Sequence, residues 1–402
     1  MPSVWQSLDV PYRHGYATTK SVPTSALAHH REGSVSTYVR AARFRDRVLG
    51  AMIGAAIGDA LGSAFEFVDS ASIVRHLGND GIVRDYEAAL SGSLLAPRAP
   101  GKPTDDTAMA LCVAGVIASS DEPTASAFAT SFTTRLRRGS RSRVAKMFWT
   151  GGPGGASTRA LSRLAAGADP STCGAPNDGG NGAAMRAHPV AMLVNRTAAL
   201  RVAALQARVT HGHPAAVEAA CAVVAIVWDC VRLDAFADVT LSANLPEGIT
   251  DPTFVRAWET AHAVGRAEGD ALPMHLRDVG MSGWETVAAA HAIAMRYPDP
   301  IEAIGRAAAS GGDTDTIASI VGAIVGARDG LSHLPERLVD RLDDGGLVLE
   351  AAEALAASGS TGFFINPRAA DVDTKIHRFA EALSRKHQRG LGIDSSERSE
   401  SS

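Results

Sequence analysis

Two acidic loops carry the residues whose types and spacing most directly imply chemistry. Pro103-Thr104-Asp105-Asp106-Thr107 stands immediately before an apolar run that starts at Ala108. Ser310-Gly311-Gly312-Asp313-Thr314-Asp315-Thr316 stands before another that starts at Ile317. A helix N-cap uses one such side chain. It does not account for adjacent or alternating carboxylates, because like charges in one short loop repel unless a cation lies between them. If the two apolar helices lie side by side, four carboxylates and several hydroxyls converge. That all-oxygen donor set suits a hard cation, Mg2+ or Mn2+, rather than zinc or copper. Spacing alone leaves this reading level with two independent caps.

Other segments add to the inventory. Asp59 and Glu66 are seven apart in Gly58-Asp59-Ala60-Leu61-Gly62-Ser63-Ala64-Phe65-Glu66 and share a helix face if the helix continues. Glu66 then either faces the acidic loops or is solvated, and Asp59 either joins it or bonds a neighbouring loop. Gly151-Gly152-Pro153-Gly154-Gly155 opens a helix, where free amides suit a phosphate, although a flexible surface loop has the same composition. Gly179-Gly180-Asn181-Gly182 leads into an apolar stretch and offers Asn181 to a ligand hydroxyl. Thr210-His211-Gly212-His213-Pro214 places two histidines before a helix, a pattern open to metal binding or to local structure.

The elements that must position these groups are helical. Val48, Leu49, Met52, Ile53, Ala56, Ile57, Ala60 and Leu61 mark one apolar face, and Gly50, Gly54, Gly58 and Gly62 form a stripe that invites close approach of another backbone. Further helices are expected at 108–119, 126–137, 157–166, 185–194, 199–209, 215–232, 252–267, 284–296, 300–310, 317–327, 335–343, 347–357 and 373–386, with Pro214 in a first turn. Alternating β-branched and aromatic runs are nearly absent. The fold class is therefore all-α, a single large orthogonal bundle over residues 41–360. Residues 1–40 read as a loosely ordered arm, and 361–402 as a C-terminal helix and disordered tail.

Composition supports a helical, water-soluble chain and excludes several functions. Of 402 residues, 46% are hydrophobic, 20% charged and only 5% aromatic. A net charge of −4 gives no global basic field for nucleic acid or anionic lipid. The local cluster Arg135-Leu136-Arg137-Arg138 with Arg141 and Arg143 reads as a solvated helix end before it reads as a phosphate-binding patch. Cys112, Cys173, Cys221 and Cys230 are too scattered for a disulfide framework or a zinc site, and three lie in apolar stretches. The best candidate for a membrane span, residues 48–68, is interrupted by Asp59 and Glu66, so no membrane span is expected and the default compartment is the cytoplasm.

The ordered set GDALGSAFEF, TDDT, NGAAMR, THGHP and GGDTDT resembles the ADP-ribosylglycohydrolase family over roughly Phe44 to Leu331. The resemblance implies an all-α bundle of that type, two Mg2+ or Mn2+ ions and cleavage of ADP-ribose from modified targets. It implies that Thr104, Asp105 and Asp106 bind one ion, Asp313 and Thr316 the other, and that Asp315 bridges them. Glu66 matches the glutamate that approaches the metal pair in the serine-ADP-ribose-cleaving branch, so Glu66, Asp105 and Asp315 are the implied catalytic residues. Gly180 and Asn181 would contact ADP-ribose, Gly151, Gly152, Gly154 and Gly155 its diphosphate, and His211 the same ligand. Gly179 departs from relatives that carry an aromatic residue near the ribose. The implied partner is an ADP-ribosylated protein, acted on by a monomer. A small ADP-ribose conjugate, a modified nucleic acid and non-catalytic ADP-ribose binding are the alternatives.

Overall fold

The computed structural model describes residues 31–78, 80–95, 97–120, 122–232, 241–265 and 272–359, with the backbone alone for 31–39 and 264–265. The expected helix at 373–386, the tail and the first thirty residues lie outside the described set. In chain order the described α-helices are α1 (Arg31–Gly62), α2 (Ser70–Leu77), α3 (Asp105–Ser119), α4 (Ala125–Arg135), α5 (Arg143–Thr150), α6 (Gly155–Ala165) and α7 (Arg196–Arg208). They continue with α8 (Pro214–Arg232), α9 (Pro252–Gly265), α10 (Gly283–Arg296), α11 (Pro300–Ala308), α12 (Thr314–Asp329), α13 (Glu336–Arg341) and α14 (Gly345–Gly359). No extended strand occurs among the described residues. Three isolated bridges do: Ala175–His211, Gly180–Ser282 and Val279–Gly312.

The axis of the bundle is an antiparallel pair, α1 and α12, and small residues create it. Gly50 faces Gly326, Gly54 faces Gly322, Gly58 faces Ala318 and Gly62 faces Thr314. A methyl group on any of those four α1 glycines would overlap the opposite backbone carbonyl. Each glycine gives up about 1 kcal/mol of helix propensity relative to alanine, and the return is continuous backbone-to-backbone packing. Around this pair, α8, α10 and α11 cover α12, α14 lies on α1 and α3, and α4 and α5 lie on α3.

Several expectations need correction. The arm assigned to residues 1–40 is helical from Arg31, because extending an existing helix needs no new nucleus. The helix expected at 185–194 is instead a pair of 3₁₀ turns, Asn181–Ala183 and His188–Met192. Pro189 falls inside that stretch and cannot supply the N–H that an α-helix interior requires. Helices α2 and α5 were not anticipated; each has only eight residues, too few for a clear period. The apolar stretch 48–68 is core: Ile53, Ile57 and Leu61 are fully buried. Helix α8 is apolar and long enough to cross a membrane, yet 72% of its apolar window is buried inside the protein, as in a core helix. The arginine cluster is partly spent on structure, since Arg143 pairs with Asp344 at 2.8 Å and Arg138 lies 4.8 Å over the Trp149 ring.

Where α9 meets α10, two histidines form a buried pair. His262 Nδ1 donates to the Trp258 carbonyl at 2.7 Å, so its Nε2 accepts from His291 Nδ1 at 2.8 Å. Burial, and secondarily His262, push His291 down to about 3. The unfolded chain therefore binds a proton between pH 6.5 and 3 that the folded chain refuses, and stability falls as pH drops through that window. At pH 5 the loss from one such histidine is about 2 kcal/mol. The acidic cluster described below titrates in the opposite sense, so the histidine share is read as a difference between two proteins. We expect His291→Asn, which keeps a donor toward His262, to be less stable than wild type at pH 7.5. That gap should narrow toward pH 5 in calorimetry; a gap independent of pH would rule out the effect.

Candidate active site

Helix α1 ends at Gly62, four residues before Glu66, so Asp59 and Glu66 do not share a helix face as expected. They serve different purposes. Asp59 is fully buried and accepts hydrogen bonds from Thr104 N (2.9 Å), Thr107 N (3.1 Å) and Thr107 Oγ1 (2.5 Å). It satisfies the free amides at the start of α3 from a neighbouring helix, which fixes where Asp105 and Asp106 stand. Thr104 is itself fully buried, and its hydroxyl accepts from Asp106 N at 3.3 Å as the α3 N-cap. It does not line the cleft. Glu66 stands on the turn after α1 and does line it.

The second acidic loop is held by backbone. Gly311 and Gly312 take φ of +79° and +71°, and each lies against residues 278–279 or Ser70 with no room for a side chain. Asp313 N donates to the Val279 carbonyl at 2.9 Å, Phe67 N to the Gly312 carbonyl at 2.7 Å, and Thr314 Oγ1 to the Gly62 carbonyl at 2.8 Å. The segment 278–282 is thus a strut between the two ligand-facing loops, since Met281 also accepts from Asn181 N at 2.9 Å. Asp278 anchors it through Ser70 N (2.7 Å) and Ser70 Oγ (2.8 Å). The Asn181 side-chain amide is already engaged, donating to Asp313 Oδ2 at 2.7 Å and to Thr286 Oγ1 at 3.1 Å. Asn181 therefore sets the aspartate as well as facing the cleft.

These loops converge on one cavity of about 350 Å³. Glu66, Asp105, Asp106, Asp313, Asp315 and Thr316 line it together, and each of the six is at least 94% buried. Burial first, and then the neighbouring carboxylates, push Glu66 and Asp105 up to about 8 and raise Asp106 and Asp315 well above the usual carboxylate range. Five carboxyl groups packed this way repel one another, and Glu66 Oε2 and Asp106 Oδ2 have no hydrogen-bond partner at all. Oxygens of Glu66, Asp313 and Asp315 lie within 4.8 Å of one another. Unpartnered buried oxygens in an all-carboxylate, hydroxyl-bearing cluster are the donor set of a hard divalent cation, and the residues present fit one.

The rest of the lining is built from glycine loops and a fixed imidazole. Gly152, Gly154, Gly155, Gly180 and Gly182 line the cavity, whereas Gly151 is set against the backbone of Thr104 and Asp105 and does not. Arg186 is fully buried and donates to Thr210 Oγ1 at 2.7 Å, so the Thr210 hydroxyl gives its proton to His211 Nδ1 at 2.8 Å. The neutral ring then carries its hydrogen on Nε2, which faces Gly180 and Gly182. Burial and the nearby Arg186 push His211 down to about 3, which keeps it a donor through the physiological range.

Sequence reasoning missed three contributors here. Asp178 directly precedes the glycine motif, Arg159 lies one turn into α6, and Arg186 closes the NGAAMR motif. Arg159 and Asp178 line the cavity and pair at 2.6 Å. An isolated arginine on a polar helix ordinarily reads as solvated, and only the adjacency of Asp178 to Gly179 was available as a signal.

Residues 40–362 match the profile of the ADP-ribosylglycohydrolase family. An uncharacterized protein of Archaeoglobus fulgidus is 30% identical over 279 residues, covering 68% of this chain and 85% of that one. A solved structure of an ADP-ribosylglycohydrolase-related protein complex aligns with a TM-score of 0.59 and 26% identity, covering 79% of this chain and 99% of the other. The all-α architecture is common to both molecules.

Proposed function

The chain belongs to the ADP-ribosylglycohydrolase family, whose membership points to hydrolysis of a glycosidic bond, and from that premise we propose that it releases ADP-ribose from ADP-ribosylated targets with the help of two divalent cations. The observation that carries the reading is the buried carboxylate cluster with two unpartnered oxygens, facing a glycine-lined cavity. Asp105 and Asp106 would hold one ion, Asp313 and Thr316 the other, and Asp315 both, with Mg2+ and Mn2+ as candidates. When bound, the cations supply Lewis acidity to the ribose hydroxyls and to a water.

The chain's own residues provide the rest. Cleavage builds positive charge on the ribose ring, and the cluster's negative charge stabilises that build-up. Glu66, which lines the cavity beside the other carboxylates, would take a proton from the attacking water or hand one to the leaving group. His211 Nε2–H and the amides of Gly152, Gly154 and Gly155 offer donors to the anionic linker of the ligand. An ADP-ribosylated protein is the favoured target, since the net charge of −4 gives no general attraction to nucleic acid.

The deciding experiment is release of free ADP-ribose from a panel of arginine-, serine- and base-linked substrates, with and without EDTA. No release from any linkage would sink the catalytic reading and leave a binding protein. Glu66→Gln should lower turnover by about 100-fold or more, with ADP-ribose affinity within a few-fold of wild type. An unchanged rate would move the proton-transfer role to another residue.

A further inference from the structure

The cavity is electrostatically lopsided. Six carboxylates line it, from Glu66, Asp105, Asp106, Asp178, Asp313 and Asp315, and among its described lining residues Arg159 is the lone Lys or Arg. His211 is neutral there, so Arg159 carries the positive charge of that wall. Its guanidinium lies over Gly155, a cavity-lining glycine on the first turn of α6.

The partner of Arg159 is arranged to release it. Arg159 Nη2 donates to Asp178 Oδ1 at 2.6 Å, with the arginine side chain 60% exposed and the aspartate only 9%. Such a pair, open to solvent on one side, contributes at most about 1 kcal/mol. Asp178 has a second ion-pair partner besides Arg159. Arg163 stands 3.7 Å from its other oxygen and is itself pinned, with Nε and Nη2 donating to the Cys173 carbonyl at 3.0 and 2.7 Å. That other oxygen, Asp178 Oδ2, is buried and has no hydrogen-bond partner. Arg159 can therefore exchange its partner for a stronger anion while Arg163 stays beside the aspartate.

We propose that Arg159 is the specificity-determining cation of the cavity, held ready on Asp178 and transferred to a phosphate of the ligand, so that the site selects nucleoside diphosphate conjugates over uncharged nucleosides. A planar guanidinium donates two parallel hydrogen bonds to phosphate oxygens, whereas Asp178 takes one from Arg159, through Oδ1. The proposal rests on the glycohydrolase reading for the identity of the natural ligand, and on the cavity alone for the role of Arg159.

The test is calorimetric titration of the full chain in saturating Mg2+ with three probes: ADP-ribose, ADP and adenosine. Arg159→Gln is expected to weaken ADP-ribose and ADP about tenfold or more and to leave adenosine within twofold. Arg159→Lys should recover part of that loss, as a point charge without the fork. Asp178→Asn, which removes the competing carboxylate, should bind ADP at least as tightly as wild type. Arg159→Gln binding ADP as wild type does, or losing adenosine equally, overturns the proposal, and so does Asp178→Asn losing as much as Arg159→Gln. Wild type that binds ADP but not ADP-ribose defeats the glycohydrolase reading and leaves the role of Arg159 standing. Wild type that binds neither overturns both.

Discussion

Asp315→Ala should abolish turnover and, in metal-free buffer, melt at a higher temperature than wild type. The two effects have one cause. Asp315 is 3% exposed, and burial together with Glu66, Asp106 and Asp313 raises its proton affinity well above normal. Holding that carboxyl among its neighbours opposes folding, so removing it relieves the metal-free protein, as happens where a site is strained for function. The same residue is the proposed shared ligand, so its loss removes charge from both ion positions. We expect turnover to fall at least about 1000-fold, equivalent to about 4 kcal/mol of transition-state stabilisation. Added Mg2+ or Mn2+ should raise the melting temperature of wild type by mass action and leave the variant almost unmoved. Activity in the variant at trace metal, or an equal metal-induced rise in both proteins, would refute the assignment.

Substitution in the α1–α12 seam should have the largest effect on stability. At Gly54 an added Cβ meets the Gly322 carbonyl, and Gly322 in turn abuts the Gly54 carbonyl. Both obstacles are backbone, so no side chain can swing aside. Gly54→Ala would gain about 1 kcal/mol in helix propensity, but separating the helices forfeits packing along the whole axis. A net loss of at least about 3 kcal/mol is expected, in the range of severe overpacking. Gly280→Ala is the matched control, because a Cβ there meets nothing within 4 Å. Denaturant midpoints of the two variants check the contrast; equal midpoints would mean that the seam tolerates separation. Gly62→Ala adds a functional readout, since its obstacle is Thr314, next to the acidic loop. It should lose metal affinity even where it still folds.

Much of this was legible in the sequence because the informative residues violate local expectation. A stripe of four glycines in a helix, and two acidic loops at the heads of apolar helices, each contradict propensity or Coulomb repulsion unless something compensates. The structure brings Asp105, Asp106, Asp313, Asp315, Thr316 and Glu66 to a single cavity. What escaped the sequence was tertiary. Glu66 was placed by extending a helix that stops at Gly62, and Phe67, at φ +58°, marks the sharp turn that carries the chain away. Gly151 has the right type for ligand contact, yet it packs on the first turn of α3, and Thr104 caps that helix through one lone pair of its hydroxyl. Asp278 and Arg159 act across long gaps in the chain, and no local pattern separates them from ordinary surface charges.

The seam also fixes the order in which the protein can be made. Thr314 and Gly62 are hydrogen-bonded across 252 residues of intervening chain. At ribosomal rates of about 5–20 residues per second, α1 waits roughly 10–50 s for the helix that fills its glycine groove. During that interval the first acidic loop exists without the second, and a cation finds only half of its donors. A cation that needs both loops would therefore not nucleate folding. It would bind last, and its loading would report on whether the C-terminal third of the bundle has docked. Nascent chains stopped before α12 should expose an apolar, glycine-grooved helix, which is the surface that chaperones hold.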